Sequence, residues 1–504
     1  MNRERIEYGD WQTKYPLAKK ICELLKKNNV NPKIIVEPTC GCGNFIRAAL
    51  DTFENIEEIY AIDIYKPYLD AIHEIKKEYG NISFHILHKS IFDFDFNKIP
   101  SNRDVLFLGN PPWITNSALG EIGSKNLPKK SNFKKHLGFD AITGKSNFDI
   151  AEYILLMIIR SFSKKNGKIA MLVKNSVIKN IIEYQQHNQL NISNITQYEF
   201  NALKEFGAAT SASLFLATFN NGIEDQCKSI DLYSEKTNRI FGLIENKLVY
   251  DIEKYNHFKY IDNKSDLIWR SGLKHDCSKI MEFEKDGNKY LNKLGEIYEF
   301  EENFIYPLLK SSDLKNDIIS STKKYVLVTQ KQTSDDTSLI QTEAPKTYKY
   351  LEVHAKNLDG RKSSIYKDRP RFCIFGIGEY SFKPYKVAIS SLYKKTTFSL
   401  IEPSNNKPIM LDDTCYLLGF DNRDFAKITQ RILNSEKVQG FIHSVSFPDS
   451  KRSINKDLLM RIDLYIAAIK IGSNQLKITN DLFENYLAFL KASNAKISES
   501  NLLL

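Results

Sequence analysis

No apolar stretch in the 504 residues approaches the roughly 18 consecutive positions that a membrane-spanning helix needs. The opening Met1-Asn2-Arg3-Glu4-Arg5 carries charge where a secretory leader carries an apolar core. A cytoplasmic protein with no membrane partner is therefore expected. Cysteine is sparse: Cys22, Cys40, Cys42, Cys227, Cys277, Cys373 and Cys415 are an odd set with no C-x-x-C pairs. That pattern excludes both a disulfide framework and a structural zinc site. The nine histidines fall at no ligand spacing either, so no metal is expected. Glycine (22) and proline (15) are too few for a fibrous or low-complexity chain, and no internal repeat is visible.

What the chain does have is an ordinary globular balance, 42% hydrophobic and 26% charged, enough length for two or three domains. Its net charge of +10 is mild for this length, compatible with a polyanionic partner without requiring one. Over the first 220 residues, short β-rich runs (Ile34–Val36, Ile59–Ile62, Phe84–Leu87, Val105–Leu108, Ile169–Val173) alternate with helical stretches such as Tyr68–Tyr79 and Asp149–Phe162. Continuous apolar runs of this length suit strands buried on both faces, and their alternation with helices predicts a doubly wound, Rossmann-like α/β domain. The run Ser213–Phe219 is expected to close its sheet. Residues 221–268 are polar and hairpin-like, placing a boundary near 265. The remainder, 266–504, reads as a mixed α+β domain with strands at Phe372–Gly376 and Lys386–Ile389 and helices from about 453 onward.

Two motifs carry chemistry. Val36-Glu37-Pro38-Thr39-Cys40-Gly41-Cys42-Gly43-Asn44 follows a strand and precedes a helix, as a glycine-rich nucleotide turn does. Asp63 ends the next strand twenty residues after Gly43 (63 − 43 = 20), the spacing at which an acid accepts hydrogen bonds from ribose hydroxyls. The pair points to an adenosine-bearing cofactor without separating a nicotinamide dinucleotide from S-adenosylmethionine. Gly109-Asn110-Pro111-Pro112-Trp113 then follows the strand Val105–Leu108, at the strand end where open α/β sheets bind ligands. Its two prolines stiffen the backbone and remove two N–H donors. An amide oxygen and a backbone carbonyl can converge there beside an aromatic face, which suits a planar exocyclic amine.

Asn-Pro-Pro-Trp behind a glycine-rich cofactor turn resembles the gamma group of S-adenosylmethionine-dependent DNA adenine-N6 methyltransferases, which includes modification enzymes of restriction–modification systems. The resemblance covers about residues 8–220 and continues more loosely to about 465. It implies S-adenosylmethionine as methyl donor, held by Thr13 in Gly9-Asp10-Trp11-Gln12-Thr13, by Glu37, Thr39, Gly41 and Gly43, by Asp63 and by Asn110. Lys14 stands where many relatives have proline. Ser90 stands where they carry an aspartate for the cofactor's adenine, with Asp93 and Asp95 nearby. The resemblance further places Ser146-Asn147-Phe148-Asp149 near the cofactor and makes Phe206 the aromatic that stacks on the target base opposite Trp113. Residues 1–265 are then the catalytic domain and 266–504 the domain that recognises the DNA target.

The implied chemistry is direct displacement, with Asn110, Pro111, Pro112 and Trp113 as the catalytic set. Asn110 Oδ1 and the Pro111 carbonyl accept the two amino protons and localise the nitrogen lone pair. The base must leave the duplex to be reached. Expected partners are double-stranded DNA and a cognate restriction endonuclease. Two basic stretches suit phosphate: Lys125 with Lys129, Lys130, Lys134 and Lys135, and Arg361, Lys362, Arg369 and Arg371. A solvated charged face accounts for either stretch equally simply. Methylation of another planar amine (cytosine N4, RNA guanine N2) and a catalytically silent DNA-binding subunit remain open on these residues alone.

Overall fold

The computed structural model describes residues 12–100, 102–115, 117, 149–393, 395–449 and 452–502. Gly9–Trp11, Lys125, Lys129, Lys130, Lys134, Lys135 and Ser146–Phe148 lie outside the described residues. The chain divides into two compact units, Met1–Glu253 and Lys254–Leu504. The break precedes position 265 because residues just after 254 pack with later chain. The Tyr255 ring meets Phe441 at 6.4 Å and its hydroxyl donates to Asp262 Oδ2 at 2.6 Å.

The first unit is a Rossmann-like α/β fold. Its strands in chain order are β1 (Ile34–Glu37), β2 (Glu58–Asp63), β3 (Ser83–His88), β4 (Val105–Gly109), β5 (Gly167–Lys174), β6 (Ile192–Phe200), β7 (Ala212–Phe219), β8 (Gln226–Asp231), β9 (Thr237–Ile244) and β10 (Lys247–Val249). They form one sheet in the order β10-β9-β8-β6-β7-β5-β4-β1-β2-β3. β1 to β5 are mutually parallel, and β7 inserts antiparallel between β5 and β6. The helices include α1 (Tyr15–Lys27), α2 (Asn44–Leu50), α3 (Lys66–Glu78), α4 (Ile150–Phe162), α5 (Asn175–Asn188) and α6 (Ala202–Phe206).

The central strands are apolar throughout because both faces are covered: Ile34–Val36 are fully buried, as is every residue of β4. Phe107 of β4 meets Phe162 of α4 edge-on at 4.6 Å and Phe219 of β7 at 5.9 Å, locking helix, strand and sheet edge into one core. β7 does not close the sheet. β6 lies beyond it, and the polar stretch after 220 continues the sheet as β8, β9 and β10. The β9–β10 hairpin turns through Glu245 and Asn246, both at positive φ (49° and 62°), the conformation a two-residue hairpin turn demands.

The second unit contains two small sheets. One, ordered β11-β21-β18-β19-β16, comprises Arg270–Ser271, Cys415–Phe420, Tyr385–Ser390, Ser399–Ile401 and Ile318–Ile319 in that order. The other, β14-β13-β12-β17-β15-β20, comprises Ile297–Tyr298, Lys289–Asn292, Glu282–Asp286, Lys324–Leu327, Ile305–Leu309 and Met410–Leu411. An aromatic cluster of Phe283, Tyr290, Phe300 and Tyr350 fills the second sheet's core. The expected strand at Phe372–Gly376 is instead irregular, with one isolated bridge from Phe375 to Lys274. The closing run of helices begins at Arg423 rather than 453: after the earlier α7 (Pro345–Val353), α8 (Arg423–Leu433) and α9 (Glu436–Val445) precede α10 (Leu464–Leu476) and α11 (Asn480–Leu502). Among the described residues no helix is long and apolar enough to cross a membrane.

Candidate active site at the carboxyl ends of β1 and β4

Strand order reverses between β1 and β4: β2 and β3 extend to one side, β5 and its followers to the other. In an open α/β sheet this switch point leaves a crevice beyond the carboxyl ends, the place where such folds bind ligands. Both sequence motifs end there, Glu37 closing β1 and Gly109 closing β4. They touch: a Cβ on Gly109 would stand 3.2 Å from Glu37 Cγ, so glycine lets the two strand ends approach.

The turn after β1 is built as its glycines predict. Gly41 and Gly43 sit at φ of +48° and +79°, conformations that cost other residues dearly. Space is short as well: a Cβ at Gly41 would lie 2.5 Å from Gln12 Oε1, and one at Gly43 would lie 2.3 Å from Ile72 Cδ1. Asp63 reaches across from β2, accepting the Gly41 N–H at 2.9 Å and the Tyr65 N–H at 2.8 Å. Asn44 Nδ2 donates to the Thr13 carbonyl at 2.8 Å, tying the segment before α1 to the start of α2.

The cleft wall holds polar atoms that the fold leaves unanswered. Thr13 Oγ1, Thr39 Oγ1 and Glu37 Oε2 are buried and have no hydrogen-bond partner among the described residues. Buried groups of this kind are rare and expensive unless a ligand completes them. Burial, reinforced by the nearby Asp63 carboxylate, pushes the Glu37 carboxyl well above the usual carboxylate range, against the pull of the Ile46 amide. A cationic ligand against Glu37 would reverse that balance. The donor set therefore fits a cofactor with hydroxyls, an amino group and a positive centre.

Ser90 lies one strand further out than Asp63, just after β3. Its hydroxyl accepts the Phe92 N–H at 3.3 Å and caps the short turn Ile91–Asp93, beyond the outermost strand β3.

The Asn110–Trp113 loop crosses the end of β5. Trp113 is 7% exposed and its indole N–H donates to the Leu172 carbonyl at 3.1 Å. Lys174 Nζ donates to the Trp113 carbonyl at 3.0 Å and pairs with Asp149 Oδ2 at 2.7 Å. Asp149 caps α4 through the Ala151 N–H (3.0 Å), and the Ile150 N–H reaches the Ile114 carbonyl at 2.8 Å. Lys174 was not legible as a site residue, because a lysine at a strand end is ordinary until the fold brings residues 113 and 149 to it. Phe206 does meet Trp113, but edge to face, with centroids 5.2 Å apart and planes at 70°. The two rings are in contact and do not bracket a gap the thickness of a base.

In the second unit the basic stretch separates. Arg361 donates to the carbonyls of Leu358 and Cys373, each at 2.8 Å, and lies 3.7 Å over the Tyr366 ring. Arg371 forms a fork with Asp359, at 3.2 and 2.8 Å. These two are taken up in contacts within the protein's own structure. Lys362 and Arg369 are exposed. Among the described residues no cluster of three or more His, Cys, Asp or Glu could hold a metal ion.

The geometry agrees with sequence comparison. No family model matches the chain. It is, however, 42% identical over 473 residues to the Type II methyltransferase M.NspV from Nostoc sp., an alignment covering 93% of this chain and 98% of that protein. The chain belongs to the type II methyltransferase family. A shorter similarity, 30% identity over 101 residues, links 20% of the chain to 34% of the ribosomal RNA small subunit methyltransferase A of Clostridium botulinum. Among solved structures, the Type IIL restriction-modification enzyme MmeI in complex with DNA aligns over 96% of this chain and 72% of its own, at 12% identity and a TM-score of 0.49. In this type II methyltransferase the glycine turn after β1 and the Asn110–Trp113 loop end at the same strand-end crevice.

Proposed function

We propose that this methyltransferase transfers a methyl group from S-adenosylmethionine to adenine N6 of a base flipped out of double-stranded DNA, and that it serves as the modifying partner of a restriction endonuclease. The observation that carries the reading is the position of Asn110-Pro111-Pro112-Trp113 at the switch point, against Glu37 and the cofactor turn. S-adenosylmethionine supplies a sulfonium-bound methyl group to this cleft. Thr13, Glu37, Thr39 and Asp63 hold its polar groups, and Gly41 and Gly43 let the backbone come close.

The protein's own contribution is orientation and electrostatics. Asn110 Oδ1 and the Pro111 carbonyl accept the amino protons, drawing nitrogen toward tetrahedral geometry so that its lone pair can attack in line. Pro111 and Pro112 offer no N–H to compete for these acceptors. Trp113, pinned through Leu172 and Lys174, forms a fixed wall, and the half-buried Phe206 on the single-turn helix α6 is the side of the pocket that yields to the base. Stacking worth about 1–3 kcal/mol offsets much of an unpairing cost of a few kcal/mol. The second unit is the DNA-recognising part.

Tritiated methyl transfer from S-adenosylmethionine to unmethylated duplex DNA, followed by nucleoside analysis, tests the assignment. N6-methyladenine is expected. Label recovered in N4-methylcytosine, in RNA guanine or in protein would replace the substrate.

A further inference from the structure

The second unit holds eight arginines, and five of them are spoken for. Arg361, Arg431, Arg371, Arg423 and Arg461 are bound to backbone carbonyls or to carboxylates. The side chains of Arg270, Arg369 and Arg452 have no hydrogen bond or ion pair among the described residues. Two of these three, Arg270 and Arg369, line the same open cleft of about 660 Å³. A long, entropy-rich cation left unpaired beside a second one is a poor arrangement for stability alone, since like charges in one cleft repel. Arg270 is nonetheless held in place: it projects from β11 and its guanidinium lies over the Tyr380 ring at 5.5 Å.

The rest of the lining discriminates between possible anionic ligands. Gln332, Ser334 and Glu379 line the same space, and none of these three side chains has a hydrogen-bond or ion-pair partner among the described residues; Lys383 lines it too, with its ammonium paired to Asp421 at 2.5 Å. The apolar walls include Leu267, Ile268 and Leu418. A site for phosphate alone has no use for the Glu379 carboxylate or for apolar walls. The edge of a base pair in the major groove fits all of them. Guanine offers O6 and N7 to a guanidinium fork, cytosine offers its N4 amino group to a carboxylate, adenine pairs with an amide, and the thymine methyl takes an apolar contact. Arginine and glutamate in one cleft are together the complement of a G·C pair.

We propose that this cleft reads base edges of the recognition sequence, with Arg369 and Arg270 the guanine-reading forks. The inference rests on the proposed activity toward duplex DNA, and it reassigns Arg369 from a phosphate contact to a specificity determinant.

The test is methylation of a duplex library randomised around the target, read at base resolution, by the full-length protein and by Arg369→Ala, Arg369→Lys, Arg270→Ala and Arg270→Lys. Arg423→Ala, which loses an ion pair with Glu402 outside the cleft, serves as the control. The wild type and the control are expected to require guanine at defined positions. Each alanine variant should lose discrimination at one of them by about 5- to 150-fold, and lysine should restore it only in part, because lysine keeps the charge but lacks the planar fork. Lysine retains a phosphate contact, so lysine variants that regain rate on every sequence alike, with sequence preference never altered by alanine, would overturn the inference. So would an unaltered preference in the alanine variants, or uniformly weaker methylation of all sequences with a shallower salt dependence. If the wild type methylates no duplex, the activity itself is wrong and the inference falls with it. If the wild type is selective and the variants are equally so, only the inference falls.

Discussion

Lys174→Met removes a single ammonium group, and its consequences follow from the contacts around it. Lys174 Nζ holds the Trp113 carbonyl at 3.0 Å and Asp149 Oδ2 at 2.7 Å, and the two side chains are only 21% and 11% exposed. Breaking a fully buried ion pair from one side costs about 3–5 kcal/mol. This pair keeps some solvent, so about 2–3 kcal/mol is expected, or roughly 4–12 °C in the melting temperature of a unit of this size. The larger effect is on rate. The Trp113 carbonyl is two peptide units from the Pro111 carbonyl that is proposed to accept an amino proton, and a displacement of about 1 Å there costs on the order of 100-fold in turnover. Adding Asp149→Asn separates the two effects. Asparagine keeps the cap on α4 and no longer needs a cation, so the double variant should recover most of the melting temperature and little of the rate. The measurements are thermal unfolding and single-turnover methyl transfer with saturating S-adenosylmethionine. Wild-type turnover in Lys174→Met would refute the positioning role, and so would a double variant whose rate returns along with its stability.

Asn110→Ala should reduce methyl transfer at least 100-fold while S-adenosylmethionine binding by calorimetry stays within a few-fold of wild type. Near-normal turnover would remove Asn110 from the mechanism. Burial, with Asp63 beside it, pushes the Glu37 carboxyl well above the usual carboxylate range, and a cationic cofactor favours its ionised form. Binding should therefore release a proton, and affinity should rise with pH up to the pKa of the free protein. Calorimetry in two buffers of different ionisation enthalpy reads this directly, and Glu37→Gln should abolish the proton release. In the second unit, burial drops Lys386 from 10.5 to about 7, its ammonium meeting only the Lys383 carbonyl at 2.6 Å among the described residues. A lysine depressed in the folded state is protonated first in the unfolded chain, so stability rises with pH between 7 and 10.5 and is penalised, by up to about 5 kcal/mol, below 7. Urea unfolding of Lys386→Met should show higher stability at pH 7 and a flatter climb from pH 7 to 9 than wild type. An identical slope would contradict the buried amine.

Much of the first unit could be read in the residues because it is coded locally. β1, β2, β3, β4 and β5 are apolar runs flanked by turn residues, and a strand buried on both faces needs nothing else to announce itself. The glycines at 41 and 43 are legible for the same reason, since a left-handed turn leaves few alternatives. What the residues did not show was how far the sheet extends. β6 reads Ile-Ser-Asn-Ile-Thr-Gln-Tyr-Glu-Phe, with buried and exposed positions interrupted by a register shift between Ser193 and Thr196 that breaks the alternation on which a strand is recognised. β8 to β10 are polar because they approach the sheet's edge, where one face meets water.

Sequence by itself determined the chemistry on offer: a glycine turn, a ribose-spaced acid and an amide between a strand and two prolines are local facts of the chain. Tertiary structure decided which side chains are available to use it. Arg361 and Arg371 stand eight and two residues from a position equally basic, Arg369, yet only the fold sends the first to carbonyls and the second to Asp359 while leaving Arg369 in an open cleft. Trp113 carries an aromatic face in any conformation, but its indole N–H finds Leu172 and its backbone finds Lys174 only when β5 lies beside β4. Such pairings join residues some sixty positions apart, and no local pattern encodes a partner at that distance.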